Sequence, residues 1–581
     1  MASQGGITYS VSLSAPIPTI PEFTGRIACL QGSLRHLHPD VLLEVLELLR
    51  PNHELRPLSL TCKWIRDACM PILFRDCVVW SYAFDKSETP VFLPQAIWPY
   101  VRTLIFEGSF ARPDLIPEYF GPDSPPAWLT ELARLRALAR SLGQFVKHAL
   151  LSMSNLRAVS VQIPNGLWYR DATTRDGVPW YILEAILSTP HIRHFYFSNG
   201  PMCHRDEELP QEVSLPSVIP LQTFRFSAPS MYIPPRTTDL DRREVLLILE
   251  RAHTSLVDLI LPGEAAPLHC MHTWDWPALT QVYLNGEYPT YENAPPLVMA
   301  LSKMPRLRYL TLYLAQPAGS EPQPIWPPSL RASHAWYSLE QLTVTHPHPD
   351  DQLYAHLPLC LDRLSLRCWP RYYKHHCHFK THMDDAQVHW TSPLLSSSEM
   401  LRILSKTNTP NLTRLELEFY ADVSDSQVFR HIGDSYPHLT VLRIHRYRNA
   451  GDVDAPVTEI AAALRGLTNL RLLMLHLDFQ SFPGVTVLDR GESGRYSPEE
   501  QLQREAQLDI TLDAAQSAAN VFASVLAPSL ECICILVPLW GAPQQWRAYR
   551  VLRNGGDCTV ETLHAGWPEP LLHGYSIIYD D

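Results

Sequence analysis

A six-residue pattern, apolar-x-x-apolar-x-apolar, recurs thirteen times from about residue 100 almost to the end of the chain. The copies are Val101-Leu104-Phe106, Leu156-Val159-Val161, Ile192-Phe195-Phe197, Leu221-Phe224-Phe226, Leu256-Leu259-Leu261, Leu279-Val282-Leu284, Leu307-Leu310-Leu312, Leu339-Leu342-Val344, Leu361-Leu364-Leu366, Leu412-Leu415-Leu417, Leu439-Leu442-Ile444, Leu470-Leu473-Leu475 and Leu530-Ile533-Ile535. The last two apolar positions are two apart, the period of a strand that puts both side chains on one face. Successive copies stand mostly 22 to 36 residues apart, with three gaps of 51 to 60. That spacing holds one strand, one helix and two short connections. The segments before the copies read as helices, among them Glu244–Glu250, Glu399–Leu404, Thr458–Leu464 and Ala518–Leu526. Helix then strand, repeated in one direction, makes each strand parallel to the last. One such unit cannot bury its apolar face, so neighbours must stack.

Proline supports the same division. The chain has 52 Pro and only 24 Gly in 581 residues, which is not a flexible-linker composition. In six copies a Pro stands two residues before the first apolar position, at Pro190, Pro277, Pro305, Pro410, Pro437 and Pro528. It cannot continue the preceding helix and biases the residue before it toward extended backbone. The pattern resembles the L-x-x-L-x-L segment of leucine-rich repeats, without the Asn or Cys that usually follows. The expected fold class is α/β, with an irregular leucine-rich-repeat-like solenoid of parallel strands over about 95–540. A doubly wound α/β sheet is the competing reading; no Gly-rich phosphate turn supports it.

Residues 30–80 have a different period. Pro39 suits the first position of a helix in which Val41, Leu42, Val45, Leu46 and Leu49 form a wide apolar stripe. A second helix is expected over about Leu58–Met70, interrupted by Pro71. The run Leu37-x-Pro39-Asp40-Val41-Leu42-Leu43-Glu44-Val45-Leu46, then Leu58-x-x-Thr61-Cys62-Lys63, then Leu73-Phe74-Arg75 resembles an F-box of the fungal type. His38 stands where that family usually has Pro, and Trp64 directly follows Lys63 instead of coming one residue later. The resemblance implies a helical module that binds the Skp adaptor of a Skp–cullin–F-box ubiquitin ligase. Its contacts would map onto Leu37, Pro39, Leu42, Val45, Leu46 and Leu49, with Leu60 and Cys62 in or near the second helix. The bland alternative is a helical cap on the first repeat. Residues 1–29 read as a disordered tail and 541–581 as a C-terminal cap or tail.

Other chemistries find little support. A net charge of −12 argues against sequence-independent nucleic-acid binding. The twelve cysteines contain no C-x-x-C pair, and no apolar window approaches a membrane span. The N-terminal stretch lacks the basic and apolar regions of a secretory signal. A soluble chain of the cytoplasm, the nucleus or both is expected. The His/Cys cluster from Lys374 to His382, with His389 and Cys368 nearby, and the shorter His269-Cys270-Met271-His272 lack a recognised zinc spacing. The first reads as a surface loop within the long 364–415 insertion. The stretch 488–508, with Gly491-Glu492-Ser493-Gly494, reads as a solvated loop, and the acid pairs Asp350-Asp351 and Asp384-Asp385 should diverge. No catalytic residue, metal site or cofactor is expected.

What a solenoid offers is the outward face of its strands. The alternate positions are His194, Tyr196, Arg225, Tyr283, Tyr309, Tyr313, Arg363, Arg367, Arg414, Glu416, Arg443 and His445. Their Tyr and Arg suit a binding surface on the concave side, for a protein substrate of acidic character. The expected function is the substrate-recognition subunit of the ligase, with the Skp-type adaptor and through it a cullin as partners. A repeat scaffold with no ligase role is the alternative.

Overall fold

Each of the thirteen apolar patterns becomes a strand in the computed structural model, which describes residues 38–49, 55–80, 92–108, 141–163, 177–198, 200, 202, 215–227, 239–289, 295–330, 336–374, 390–448, 454–482, 498–537, 545–554 and 557–563. After β1 (Asp76–Trp80), the repeat strands are β2 (Thr103–Glu107), β3 (Ala158–Gln162), β4 (His194–Ser198), β5 (Thr223–Ser227), β6 (Asp258–Pro262), β7 (Gln281–Glu287), β8 (Tyr309–Pro317), β9 (Gln341–Thr345) and β10 (Arg363–Arg367). Two short strands follow, β11 (Trp390–Thr391) and β12 (Leu395–Ser396). The array resumes with β13 (Arg414–Tyr420), β14 (Val441–Tyr447), β15 (Leu472–His476) and β16 (Cys532–Val537), and β17 (Gln545–Asn554) and β18 (Asp557–Thr562) close it.

The architecture is mixed α/β around one long, mostly parallel sheet of 18 strands. Strands β2 to β10 and then β13 to β16 pair in parallel in chain order. The middle position of every copy faces the middle position of the next, from Leu104 opposite Val159 to Leu473 opposite Ile533. None of these thirteen side chains is more than 1% exposed. Each full burial is worth about 1.5–3 kcal/mol, and a one-residue slip would turn the whole row outward. The exceptions to parallel order are β11, antiparallel to β8, and β17 and β18, which extend the sheet from β16 as antiparallel strands.

Five of the six prolines occupy the second position of a tight turn. The N–H of Ile192, Leu307, Leu412, Leu439 and Leu530 each donates to the carbonyl three residues back, of Thr189, Met304, Thr409, Tyr436 and Ala527, at 3.1–3.3 Å. Proline's fixed φ suits that turn position, so it stops the helix and aims the first apolar residue at the core.

The chain divides into two compact units, Met1–Cys77 with Pro94–Arg102, and Val78–Leu93 with Thr103–Asp581. In the first, helices α1 (Pro39–Leu49), α2 (Leu55–Ser59) and α3 (Lys63–Leu73) pack around Leu42, Leu46, Leu55, Ile65, Cys69 and Ile72. The expected single helix over 58–70 is instead two helices with a turn at 60–62, and α3 runs through Pro71 to Leu73. Arg75 pairs with Glu47. In the second unit the helices include α4 (Trp180–Leu187), α5 (Asp239–Ala252), α6 (Leu268–Met271), α7 (Leu297–Ala300), α8 (Ser397–Leu404), α9 (Asp425–Ser435), α10 (Val457–Ala463) and α11 (Pro498–Val525). Ser396 and Glu399 cap α8 reciprocally.

One expectation is corrected here. Residues 498–508, read as part of a loop, form the first turns of α11. Pro498 opens the helix, and Gln507 and Thr511 fasten it to the Ser481 carbonyl. The described ends of the insertion between β10 and β13 carry short elements that pack on the sheet, while the part read as a surface loop lies outside the described residues. The predicted tail 1–29, Leu37, the cluster from His375 to His382 with His389, Asp384-Asp385 and Gly491–Gly494 lie outside the described residues.

Candidate functional site

Strand alternation places the predicted outward residues on one face, and their surroundings split that face in two. Along β4 to β7, Tyr196, Arg225, Ile260 and Tyr283 stand side by side in register, all partly exposed. His194 stacks on Tyr196 at 6.5 Å, and the Arg225 guanidinium lies 5.6 Å from the Tyr196 ring centre. Arg225 Nε donates to Asp258 Oδ2 at 2.8 Å, which neutralises the cation. Tyr283 meets Tyr313 edge-on at 5.3 Å. Tyr309 donates to Glu340, already paired with Arg308, and half-buried Arg363 pairs with Asp362. Arg414 is half-buried as well. Along β4 to β7 the face is therefore an aromatic strip whose arginine, Arg225, carries its own counter-ion.

The other half is covered by the chain itself. Residues 368–373 and 390–396, near the described ends of the insertion, pack on the outward face of β8 to β16. They bury Cys368, Arg371, Tyr373, Trp390 and Ser392. Tyr313, Arg367, Arg443 and His445, read as partner-facing, are buried beneath or beside this cover, with Arg367 only 1% exposed. Arg367 stacks over Tyr313 at 4.4 Å, and Trp369 lies against the same ring at 5.1 Å. These four cannot meet a substrate while the cover is in place.

Under the cover lies an ion network. Glu416 accepts from Arg371 and from Ser365 Oγ at 2.6 Å, and it is ion-paired with Arg443, whose Nε lies 3.3 Å away, and with Arg367 Nη1 at 4.0 Å. Burial pushes the Glu416 carboxyl up, but Arg371, Arg443 and Arg367 outweigh it and hold the group well below the usual carboxylate range. Glu418 accepts from the backbone N–H of Cys368 at 3.1 Å and of Tyr372 at 3.0 Å, from Tyr447 Oη at 3.0 Å and from Arg371 Nη1 at 3.3 Å. His346 Nε2 stands 3.0 Å from the Trp369 carbonyl. Burial, reinforced by Arg371 and Arg443, drives the His445 pKa well down, and its Nε2 accepts from Arg443 Nε at 3.1 Å. The arrangement fixes the cover and holds no exposed acid–base pair. Arg371, Glu418 and Tyr447 were missed in the sequence, where only the E-L-E alternation of β13 hinted at a second outward carboxylate.

In the helical unit the apolar stripe of α1 also divides. Leu42 and Leu46 face the module's own core and Leu49 packs against it, so the first two are not available to a partner. Cys62 is half-buried against the same core, and Pro39 opens the helix. The exposed edge of the stripe is Val41, half-buried Val45 and Leu48, at i, i+4 and i+7; Leu48 is 76% and Leu60 68% exposed. Leu43 is exposed too. Leu48 is the site candidate that sequence reading passed over; its place at the margin of a wide stripe was the available signal.

Among the described residues no group of three or more His, Cys, Asp and Glu could hold a metal, and no helix is long and apolar enough to cross a membrane. His269 to His272 lie on or just after α6, where His272 Nδ1 bonds the His269 carbonyl. Asp350 and Asp351 diverge: Asp350 pairs with Arg402, while buried Asp351 accepts from the N–H groups of Ile325, Trp326 and Leu353.

No family model matches this sequence, and no curated protein matches it. Among solved structures, a chain of the crystal structure of the Rad7 and Elc1 complex in yeast is 12% identical, matching 73% of this chain and 91% of its own length at a TM-score of 0.23.

Proposed function

We propose that this chain is the substrate-recognition subunit of a Skp–cullin–F-box type ubiquitin ligase. The module at about 30–80 docks a Skp-type adaptor, and through it a cullin, while the strand face holds a protein substrate. The observation that carries the reading is the F-box-like pattern, whose stripe keeps an exposed apolar edge at Val41, Val45 and Leu48 after the module core is formed. Such an edge needs a partner, and apolar anchors of this kind dominate interface energies. The chain contributes no chemistry; it raises the local concentration of substrate at an enzyme carried by another subunit. For the substrate, the accessible aromatic strip of Tyr196, Ile260 and Tyr283 replaces the acidic-partner expectation, because Arg225 is already paired.

Co-purification of the full chain with a Skp adaptor tests the docking. Wild type should capture adaptor and cullin, and Leu48→Asp with Leu60→Asp should lose capture at an unchanged melting temperature. Capture unaffected by that pair removes the docking surface, and no capture by wild type leaves the non-ligase scaffold as the better reading.

A further inference from the structure

Two cysteine thiols and a methionine share one buried patch of the sheet. Cys532 and Cys534 project from the same face of β16, two residues apart, with their sulfurs 3.8 Å from each other. Met474 on β15 stands directly opposite Cys534 in the register, one strand spacing away. All three are buried in one cluster with Leu472 and Ala548, edged by Val441, Trp546 and Leu563. Three sulfurs each about 2.3 Å from a trigonal ion would stand about 4 Å apart, close to the thiol separation observed here.

The charge around the patch fits a soft cation. A monovalent ion held by two thiolates leaves one net negative charge on the centre. Arg443, opposite Met474 in the register and also paired with Glu416, offers a nine-tenths-buried guanidinium whose Nη2 has no hydrogen-bond partner among the described residues, and its planar group lies 5.1 Å from the Trp546 ring. Exposed Arg550 stands across from Cys532 on β17. The donor set excludes the common hard and borderline ions. It supplies no oxygen cage for calcium or magnesium and no fourth ligand for a tetrahedral zinc site, whereas thiolate and thioether ligands select Cu(I) and its analogue Ag(I).

We infer that Cys532, Cys534 and Met474 form a three-sulfur site for a soft monovalent metal ion such as Cu(I). On binding, the two S–H bonds break, their protons pass to solvent, two metal–thiolate bonds form without change of oxidation state, and the Met474 thioether completes the trigonal set. The site uses no residue of either proposed docking surface and would stand if either failed.

The test uses the full reduced chain, without oxygen, titrated with Cu(I) against a colorimetric Cu(I) chelator. One equivalent should be retained, with a near-ultraviolet thiolate-to-metal absorption band. Cys534→Ala should lose at least a hundredfold in affinity, and the volume-conserving Met474→Leu on the order of tenfold. Cys360→Ala and Cys558→Ala should retain the full equivalent. No retention by wild type, or equal retention by Cys532→Ala/Cys534→Ala, overturns the site. Should the cysteine variants fail to fold, alkylation of wild type in mild urea decides. One equivalent of Ag(I) should shield Cys532 and Cys534 selectively, and equal labelling with and without Ag(I) overturns the inference.

Discussion

Glu418 is the point on which the cover over the sheet turns, and replacing it by Gln should release that cover. Each carboxylate oxygen serves two donors: one takes the Tyr372 N–H and the Tyr447 hydroxyl, the other the Cys368 N–H and Arg371. Whichever position the Gln amide nitrogen takes, it meets two donors with a third. Arg371, itself fully buried, also loses one of its two carboxylates. Breaking a buried pair in this way costs about 3–5 kcal/mol. The control is Glu531→Gln, whose pair with Arg471 at 2.7 Å is half exposed and worth about 1 kcal/mol or less. Hydrogen exchange separates the two locally. At about 1.4 kcal/mol per tenfold, the Cys368 and Tyr372 amides should exchange roughly 10²- to 10³-fold faster in Glu418→Gln. They should be unaltered in Glu531→Gln. Exchange within threefold of wild type at both amides, with a stability loss near that of the control, would refute the assignment of Glu418 as the anchor.

Two further outcomes follow from the fold. Burial, opposed by the N–H of Glu287, raises the Glu264 carboxyl to about 8. The folded chain therefore holds a proton that the unfolded chain releases at the ordinary Glu value of about 4.3, and stability falls as pH rises from there through about 8. Glu264→Gln should flatten that part of a melting-temperature profile taken from pH 5 to 9; an unchanged slope contradicts the reading. Gly433 of α9 lies against the Ala463 carbonyl at the end of α10, and Gly466 against the Gly433 carbonyl, with no room for a Cβ at either. Gly433→Ala should cost about 1–3 kcal/mol in urea unfolding, and a neutral result would mean that the two helices can move apart freely.

The strands were legible because a period-two apolar pattern carries its own face. Once Leu104, Val159 and their successors point inward, the register leaves a single alignment for the whole array. The turns were legible for a similar reason, since Pro190 or Pro437 acts within four residues. What covers the outward face was not, because Arg367, Glu416 and Arg443 sit at the same alternate positions as Tyr196 and Arg225. The difference lies in residues 368–373 and 390–396, which reach the sheet through tertiary contacts that spacing does not encode. In α1 the stripe was visible, but its division into a core edge and a free edge depended on where α3 packs. The helical start of α11 was hidden by its charge, which reads as solvation when the Ser481 carbonyl that receives it is unknown.

The short antiparallel pairing of β11 with β8 has a mechanical consequence. Trp390 lies opposite Pro317 of β8, and five residues later Leu395 joins β13 opposite Phe419, with β9 and β10 standing between β8 and β13 in the pairing order. A plain stack of repeats transmits load only from each strand to the next, so it can peel from an end one row at a time. Here a strap ties β8 to β13, and the rows between cannot part singly. Pulled in an optical trap, β4 to β7 should give way in small successive steps, and the strapped block should resist and then yield in one larger rip.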